Sequence, residues 1–408
     1  MTPDDLLASL SAGQRDALAA IVKWTGDGGQ DPLTLGGLAG TGKTTLAGLL
    51  PGVLPDLFIA YTAFTGKAVS VLRSRLPARV SDSRISTIHR LLYAPVVMKI
   101  CTESEEGFPE TARFCLKHLD GRREPCEARI QVSFTPKDEP LDGLDLVIVD
   151  EASMVPERLW QDLTGHGVPV LAIGDHGQLP PVQSAFSLMA DPDLRLEEIH
   201  RQAAGSPVLA VARWAREQGH IPHGWYGPDV VKIQPAEIGY KGLHPAEADM
   251  IICATNRTRQ YHNAACRAWH GRSGAPQPGD TVICLRNDYD AGLFNGLRGT
   301  VLASDGETTA RGETAFRLTV QLETGGEPWT GTAAAAQFGA AETLKSLNRG
   351  LALFDWGYAI TGHKSQGSSG AKVLVIEESW PAPGTELRGR WLYTVVTRSE
   401  GVLTVAGW

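Results

Sequence analysis

A glycine-rich loop, Gly37-Leu38-Ala39-Gly40-Thr41-Gly42-Lys43-Thr44, lies between the apolar stretch Leu33 to Leu35 and the run Thr45-Leu46-Ala47-Gly48-Leu49-Leu50. The order strand, loop, helix constrains the chain to an α/β unit. Glycines let backbone N–H groups turn inward around phosphate oxygens, and the helix start adds the positive end of its dipole. In such a cradle Gly37, Gly40, Thr41, Gly42, Lys43, Thr44 and Thr45 are the candidate nucleotide contacts. Lys43 is placed to reach the outer phosphates, and the Thr44 hydroxyl to ligate Mg2+. A glycine-rich turn arising by chance would need neither the strand before it nor the helix after it. The loop therefore predicts binding of a nucleoside triphosphate with Mg2+; ATP is the nucleotide expected once the motifs below are added.

A partner for this loop follows in Leu146-Val147-Ile148-Val149-Asp150-Glu151-Ala152-Ser153, an apolar strand ending in two carboxylates. Adjacent acids after a strand often form only a solvated turn. Beside a phosphate loop they have defined work: Asp150 as a metal ligand with Thr44, and Glu151 as the group that orients and deprotonates a water. A glutamate next to the metal-binding aspartate favours an ATPase motor over a kinase, which needs no activated water.

Length and composition set the surroundings. The chain has 408 residues, 42% hydrophobic and 21% charged, enough for two to four compact units. It contains no run of about 18 apolar residues, and Met1-Thr2-Pro3-Asp4-Asp5 is not the start of a secretory signal. The expectation is a cytoplasmic protein without membrane contact, and six scattered cysteines agree with a reducing compartment. The net charge of -8 argues against a basic coat for gripping duplex DNA but leaves room for a narrow positive groove.

Further apolar runs read as buried parallel strands: Leu57 to Tyr61, Leu144 to Val149, Pro169 to Ile173, Met250 to Ala254 and Val373 to Ile376. Two stretches interrupt the pattern. Residues 93–143 are charged and irregular, whereas 276–347 hold short β-like pieces, Thr281 to Leu285, Thr300 to Ala303 and Phe316 to Leu322, between glycine-bearing turns. Ala333 to Ala336 and the sequence around Gly339 read as a surface connection.

The intervals between these motifs resemble superfamily 1 helicases, particularly superfamily 1B, the RecD, Pif and Dda group. Gln14 in Ser11-Ala12-Gly13-Gln14-Arg15 resembles the Q motif, whose amide reads the adenine edge. Ala63-Phe64-Thr65-Gly66-Lys67-Ala68 resembles motif Ia and Ser86-Thr87-Ile88-His89-Arg90-Leu91-Leu92 motif Ib. Asp150-Glu151-Ala152-Ser153 is similar to motif II, and Gly174-Asp175-His176-Gly177-Gln178-Leu179-Pro180-Pro181-Val182 to motif III. Glu198-Ile199-His200-Arg201-Gln202 resembles motif IV, Tyr358 to Gly367 motif V, and Tyr393-Thr394-Val395-Val396-Thr397-Arg398 motif VI. Together they run from Gln14 to Arg398.

The resemblance implies an α/β fold of two RecA-like P-loop motor domains with parallel sheets. The first would comprise 1–92 and 144–188, with an inserted wedge or hairpin at 93–143. The second would comprise 189–275 and 348–408, with an SH3-like β-barrel inserted at 276–347. It also implies Gln178 between the γ-phosphate and the DNA site, and Gly367 as a nucleotide contact. Cleavage of a γ-phosphate develops charge that an arginine from a second domain stabilises only when the cleft closes. Arg201 and Arg398 are the candidates, a surface salt bridge being the alternative for each, and with Lys43, Asp150, Glu151 and Gln178 they complete the candidate catalytic set.

A strand track that serves any sequence uses phosphate contacts and stacking rather than base edges. Phe64, Thr65, Lys67, Thr87, His89, Thr361, His363, Lys364 and Ser365 fit those demands and motifs. Phe64 stands where proline is usual, and Gly362 where a bulky apolar residue is common. Cys101, Cys115, His118 and Cys126 fall in the first insertion, but only Cys115-Leu116-Lys117-His118 has close ligand spacing, so the sequence disfavours zinc.

The expected activity is an ATP-dependent DNA helicase translocating 5′ to 3′ on single-stranded DNA and unwinding fork or tailed duplexes. It would work as a monomer, with replication or repair partners such as a single-strand-binding protein. The alternatives are a motor of opposite polarity, an ATPase that remodels protein–DNA complexes without unwinding, and a non-motor switch.

Overall fold

The computed structural model describes residues 10–77, 80–101, 128–181, 186–198, 205–288, 291–310, 312–344 and 350–408, with backbone alone for 95–101 and 128–133. Helix α1 (Ala12–Gly26) precedes β1 (Leu33–Gly37), α2 (Lys43–Val53), β2 (Ile59–Ala63), α3 (Gly66–Arg75), β3 (Ile85–Thr87) and α4 (Ile88–Leu92). The chain then leaves as an antiparallel ribbon, β4 (Tyr93–Cys101) against β5 (Ala128–Pro136), within the first expected insertion. It returns through β6 (Leu146–Asp150), α5 (Glu157–Thr164), β7 (Val170–Gly174) and β8 (Leu194–Leu196).

The first sheet has the order β3-β2-β6-β7-β1-β8, parallel throughout. Side chains alternate across a strand, so Ile148 packs on one face with Ile21, Leu35 and Leu46. Val147 and Val149 pack on the other with Ile88, Leu159 and Leu163. Both faces are covered, which is why β6 reads as a continuous apolar run. Ser11 and Gln14 form a capping box that starts α1.

The second lobe begins with α6 (Pro207–Gln218), β9 (Gly224–Gly227), β10 (Val230–Ile233), β11 (Met250–Cys253) and α7 (Asn256–Trp269). Five antiparallel strands follow: β12 (Thr281–Cys284), β13 (Arg298–Ala310), β14 (Glu313–Leu322), β15 (Trp329–Ala334) and β16 (Phe354–Trp356), in the order β15-β14-β13-β12-β16. The lobe closes with β17 (Ala359–Thr361), α8 (Gly362–Ser365), β18 (Gly370–Ile376), α9 (Glu386–Val396) and β19 (Ser399–Ala406). Its main sheet runs β17-β11-β18-β19-β10-β9, parallel except for β9.

Buried ion pairs weld the five-stranded sheet to this lobe. Arg267 on α7 pairs with Asp280 at 3.1 Å and lies 3.7 Å from the centre of the Trp356 ring, while Arg259 reaches Asp355 at 2.7 Å.

Three features depart from the sequence reading. Leu194–Leu196 joins the first sheet beside β1, beyond residue 188, because the Asp193 carboxylate accepts the Thr34 N–H at 2.9 Å and hydroxyl at 2.6 Å. Phe354–Trp356 belongs to the antiparallel sheet rather than to the resumed second motor domain. Ala333 and Ala334 form no surface connection. Both are fully buried opposite Phe316 and Ala315, and Ala334 N–H donates to Ala352 O.

Truncating the centre of the first core tests this packing. Ile148→Ala should cost about 2–5 kcal/mol, read as a lowered urea midpoint with unchanged slope.

Candidate nucleotide site at the seam of two lobes

The carboxyl ends of β1, β6 and β7 bring the phosphate loop, Asp150-Glu151 and Asp175 to one edge of the first sheet. Gly42, the residue before α2, has φ 80°, a left-handed turn that aims the following N–H groups into the loop. A Cβ on Gly37 would sit 2.5 Å from Thr41 Oγ1 and 3.2 Å from Lys43 Cγ, so the cradle closes only around glycine. Lys43 Nζ donates to Gly37 O at 2.7 Å and Leu38 O at 2.9 Å, and stands 3.7 Å from Asp175 Oδ2. Thr44 Oγ1 accepts from Arg75 at 3.3 Å, a cation that the sequence reading missed because Arg75 ends a helix outside every motif. Thr45 is exposed in the first turn of α2.

Gln14 spends its amide on the protein, donating from Nε2 to Thr41 O at 2.9 Å and accepting Ser11 N–H at Oε1. It braces the loop from behind in this conformation. Among the described residues Glu151 is the one non-glycine with positive φ, 51°, and its N–H donates to Asp150 Oδ1 at 2.9 Å. Strain of this kind turns consecutive carboxylates toward one place. Burial first, and the Glu151 charge second, push the Asp150 carboxyl up to about 6. Two acids crowded in a desolvated corner suit a divalent cation, which would favour both ionised forms. Gln178 Oε1 is buried without a hydrogen-bond partner, while Nε2 reaches Asp175 Oδ2 at 3.4 Å. An orphaned acceptor on a side chain that shares Asp175 with the lysine fits a site that takes a further polar group. Loop, acids and orphaned amide together fit a magnesium nucleotide.

The second lobe reaches this edge through α9. Tyr393 hydroxyl donates to Asp175 Oδ2 at 2.8 Å and accepts Ala39 N–H at 2.7 Å. Thr394 Oγ1 accepts Leu179 N–H at 2.9 Å, and Gln366 Nε2 donates to Leu179 O at 3.1 Å. None of these residues carried an assigned role in the sequence, although each stood inside a quoted motif. Arg398 is buried and bonds to Thr394 O at 3.0 Å, Ser368 O at 3.4 Å and Thr397 Oγ1 at 3.1 Å, all within its own lobe. Arg201 lies outside the described residues, as do Cys115, His118 and Cys126; Cys101 is described by backbone alone.

The expected DNA residues divide into groups. Thr65 and Thr87 cap helices, accepting Ala68 N–H at 3.1 Å and Arg90 N–H at 3.2 Å. Phe64, His89 and Tyr93 follow one another with ring centres 6.1 and 5.8 Å apart, and Phe64 leans on the core. Lys67 is not an open phosphate contact in this conformation. It is buried and pairs at 2.6 Å with Glu323, the residue that follows β14. Thr361 starts α8, Ser365 is fully buried and donates to Gly362 O, and burial lowers the pKa of both His363 and Lys364, the latter to about 8. Gly367 turns at φ 70° beside Ala68 and Thr65 and not in the phosphate loop, so it falls on the expected strand side. Glycine stands at 362 because the Trp391 indole fills the space, 2.5 Å from where a Cβ would be.

Comparison with known proteins places this geometry. Residues 9–226, more than half of the chain, match the family model described as AAA domain, and residues 357–406 match the UvrD-like helicase C-terminal domain. The chain belongs to the RecD/Pif-like superfamily 1B helicases. Among curated members it is 28% identical over 404 residues to the ATP-dependent RecD2 DNA helicase of Deinococcus radiodurans, covering 92% of this chain and 47% of that protein. It is 25% identical over 476 residues to the RecBCD enzyme subunit RecD of Mycolicibacterium smegmatis, covering 99% of this chain and 75% of that one. The chain thus spans about half the length of the RecD2 relative. Pif1 helicase from Candida albicans shares the fold with TM-score 0.55 at 18% identity, over 98% of this chain and 94% of that one. Bacteroides Pif1 bound to ssDNA does so with TM-score 0.54 at 18% identity, over 97% and 92%. The two parallel-sheet lobes of this helicase-family chain are therefore RecA-like. Among its described residues no helix is long and apolar enough to cross a membrane.

The cradle around Gly37 gives a direct check. Gly37→Ala forces the loop open at a cost of about 1–3 kcal/mol, so ATP binding measured by calorimetry should weaken about tenfold or more with an unchanged far-ultraviolet spectrum.

Proposed function

We propose that this chain is an ATP-driven motor that translocates on single-stranded DNA, 5′ to 3′, and unwinds fork and tailed duplexes. The observation that carries the reading is the seam. Lys43, Thr44, Asp150, Glu151 and Gln178 lie on one lobe, and α9, which leads into Arg398, is hydrogen-bonded to the same edge from the other. An ATPase whose site is split between lobes couples turnover to their relative motion, which is the requirement of a translocating motor.

Lys43 and the loop N–H groups hold the phosphates once the lysine leaves the Gly37 and Leu38 carbonyls. Thr44 and Asp150 would hold Mg2+, which would supply positive charge to the outer phosphates. Glu151 takes the proton of the attacking water, and Gln178 orients that water with its free amide oxygen. Arg398 supplies charge to the γ-phosphate after leaving its own-lobe carbonyls, and Arg201 is the second candidate for that role.

Thr65, Thr87, Gly367 and the Phe64–His89–Tyr93 row form the proposed strand track, with Lys67 joining it when Glu323 lets go. The β4–β5 ribbon is the proposed wedge, and the five-stranded sheet the proposed guide over the strand. RecD2 is named an ATP-dependent DNA helicase, and Pif1 neighbours are described bound to ssDNA and unwinding forked duplexes, which supports the substrate class and partners. Polarity rests on the RecD and Pif resemblance. A monomer is the expected working unit, with a single-strand-binding protein as accessory.

Two variants and one polymer test this. Poly-dT should stimulate steady-state ATP hydrolysis, and its failure to do so removes the motor reading. Lys43→Ala should abolish turnover while DNA binding remains measurable, whereas normal hydrolysis in that variant would sink the assignment of the phosphate loop. Glu151→Gln should bind ATP yet turn it over about 100-fold more slowly.

A further inference from the structure

Tyr393 has a buried hydroxyl placed between two groups of the other lobe, and the proposed chemistry leaves it without a role. Its side chain is 2% exposed. It rises from α9 in the second lobe and meets Ala39 N–H of the phosphate loop at 2.7 Å and Asp175 Oδ2 at 2.8 Å. The same carboxylate oxygen is the neighbour of Lys43 Nζ at 3.7 Å and of Gln178 Nε2 at 3.4 Å, and its companion Oδ1 accepts Gly177 N–H at 2.9 Å. Asp175 is therefore a hub touched by the phosphate-binding lysine, the orphaned glutamine and the other lobe. The fit around the phenol ring is close, since a Cβ on Gly177 would lie 2.9 Å from the ring and 3.0 Å from Leu38.

From this arrangement we infer that Tyr393 is a positioning residue for ATP turnover, one hydroxyl fixing both the Ala39 end of the phosphate loop and the Asp175 carboxylate relative to the second lobe. The inference rests on the ATPase reading. When Lys43 turns to phosphate, Asp175 loses its nearest cation, and a carboxylate left buried without donors would draw the lysine back. The tyrosine hydroxyl and the Gly177 N–H keep that carboxylate satisfied, so Lys43 is free to leave. Because Ala39 is held by the same oxygen, the helix that leads into Arg398 is aligned with the loop that would hold the phosphates. Thr394 and Gln366 hold the end of the same segment at Leu179, so the whole Asp175–Leu179 stretch is fastened to the second lobe.

Tyr393→Phe removes the oxygen and keeps the ring in its slot. With poly-dT present, kcat for ATP should fall about tenfold or more, the loss of one bond to a buried carboxylate, while KM for ATP moves by less than about threefold. Backbone exchange supplies the second reading, without nucleotide. A peptide covering Leu38 to Thr41 should exchange faster in the variant, because Ala39 N–H has lost its acceptor, while peptides from β6 and β18 keep the parent rates. A kcat within about twofold of the parent overturns the inference, as does faster exchange over the whole chain, which would make Tyr393 only a packing residue. A parent protein that turns over no ATP overturns the functional reading itself and this inference with it, and that outcome is seen before any variant is compared.

Discussion

The Asp175–Leu179 segment belongs to the first lobe by sequence and to both by hydrogen bonding. It follows β7, yet Tyr393, Thr394 and Gln366 of the second lobe hold its side chain, N–H and carbonyl groups. Because Lys43 lies beside Asp175, whatever enters the phosphate loop acts on a segment that the second lobe already grips. A parallel sheet supplies the edge at which this can happen, since its strands all end on one side.

The edge brings two acids together and holds its cations by local bonds. Asp150 and Glu151 crowd one another, and burial followed by the Glu151 charge raises the Asp150 carboxyl above the usual carboxylate range. Lys43 and Arg398 are held by backbone carbonyls and neighbouring hydroxyl or carboxylate groups of their own lobes. Each cation would have to break these local bonds before it could act elsewhere. Lys67 is held in the same way by Glu323, the residue that follows β14.

Local chemistry was legible in the sequence. The phosphate loop, the Asp150-Glu151 pair and the buried strands could be read because each is set by contiguous residues and a fixed spacing. Features that depend on a distant partner could not. Leu194–Leu196 is a strand only because Asp193 finds Thr34, and Ala333 and Ala334 are buried only because β14 lies opposite. Gly362 is explained by Trp391 in a later helix, and the Glu323 carboxylate beside Lys67 comes from a strand end more than 250 residues away. Tyr393 and Asp175 were visible as letters of motifs, but their bond crosses two lobes and leaves no periodic trace.

The most direct measurement is unwinding of a forked duplex labelled on one strand, with either a 5′ or a 3′ single-stranded tail. This account predicts strand release that requires ATP hydrolysis and occurs with the 5′ tail. Hydrolysis of ATP stimulated by DNA with no release from either substrate would contradict it.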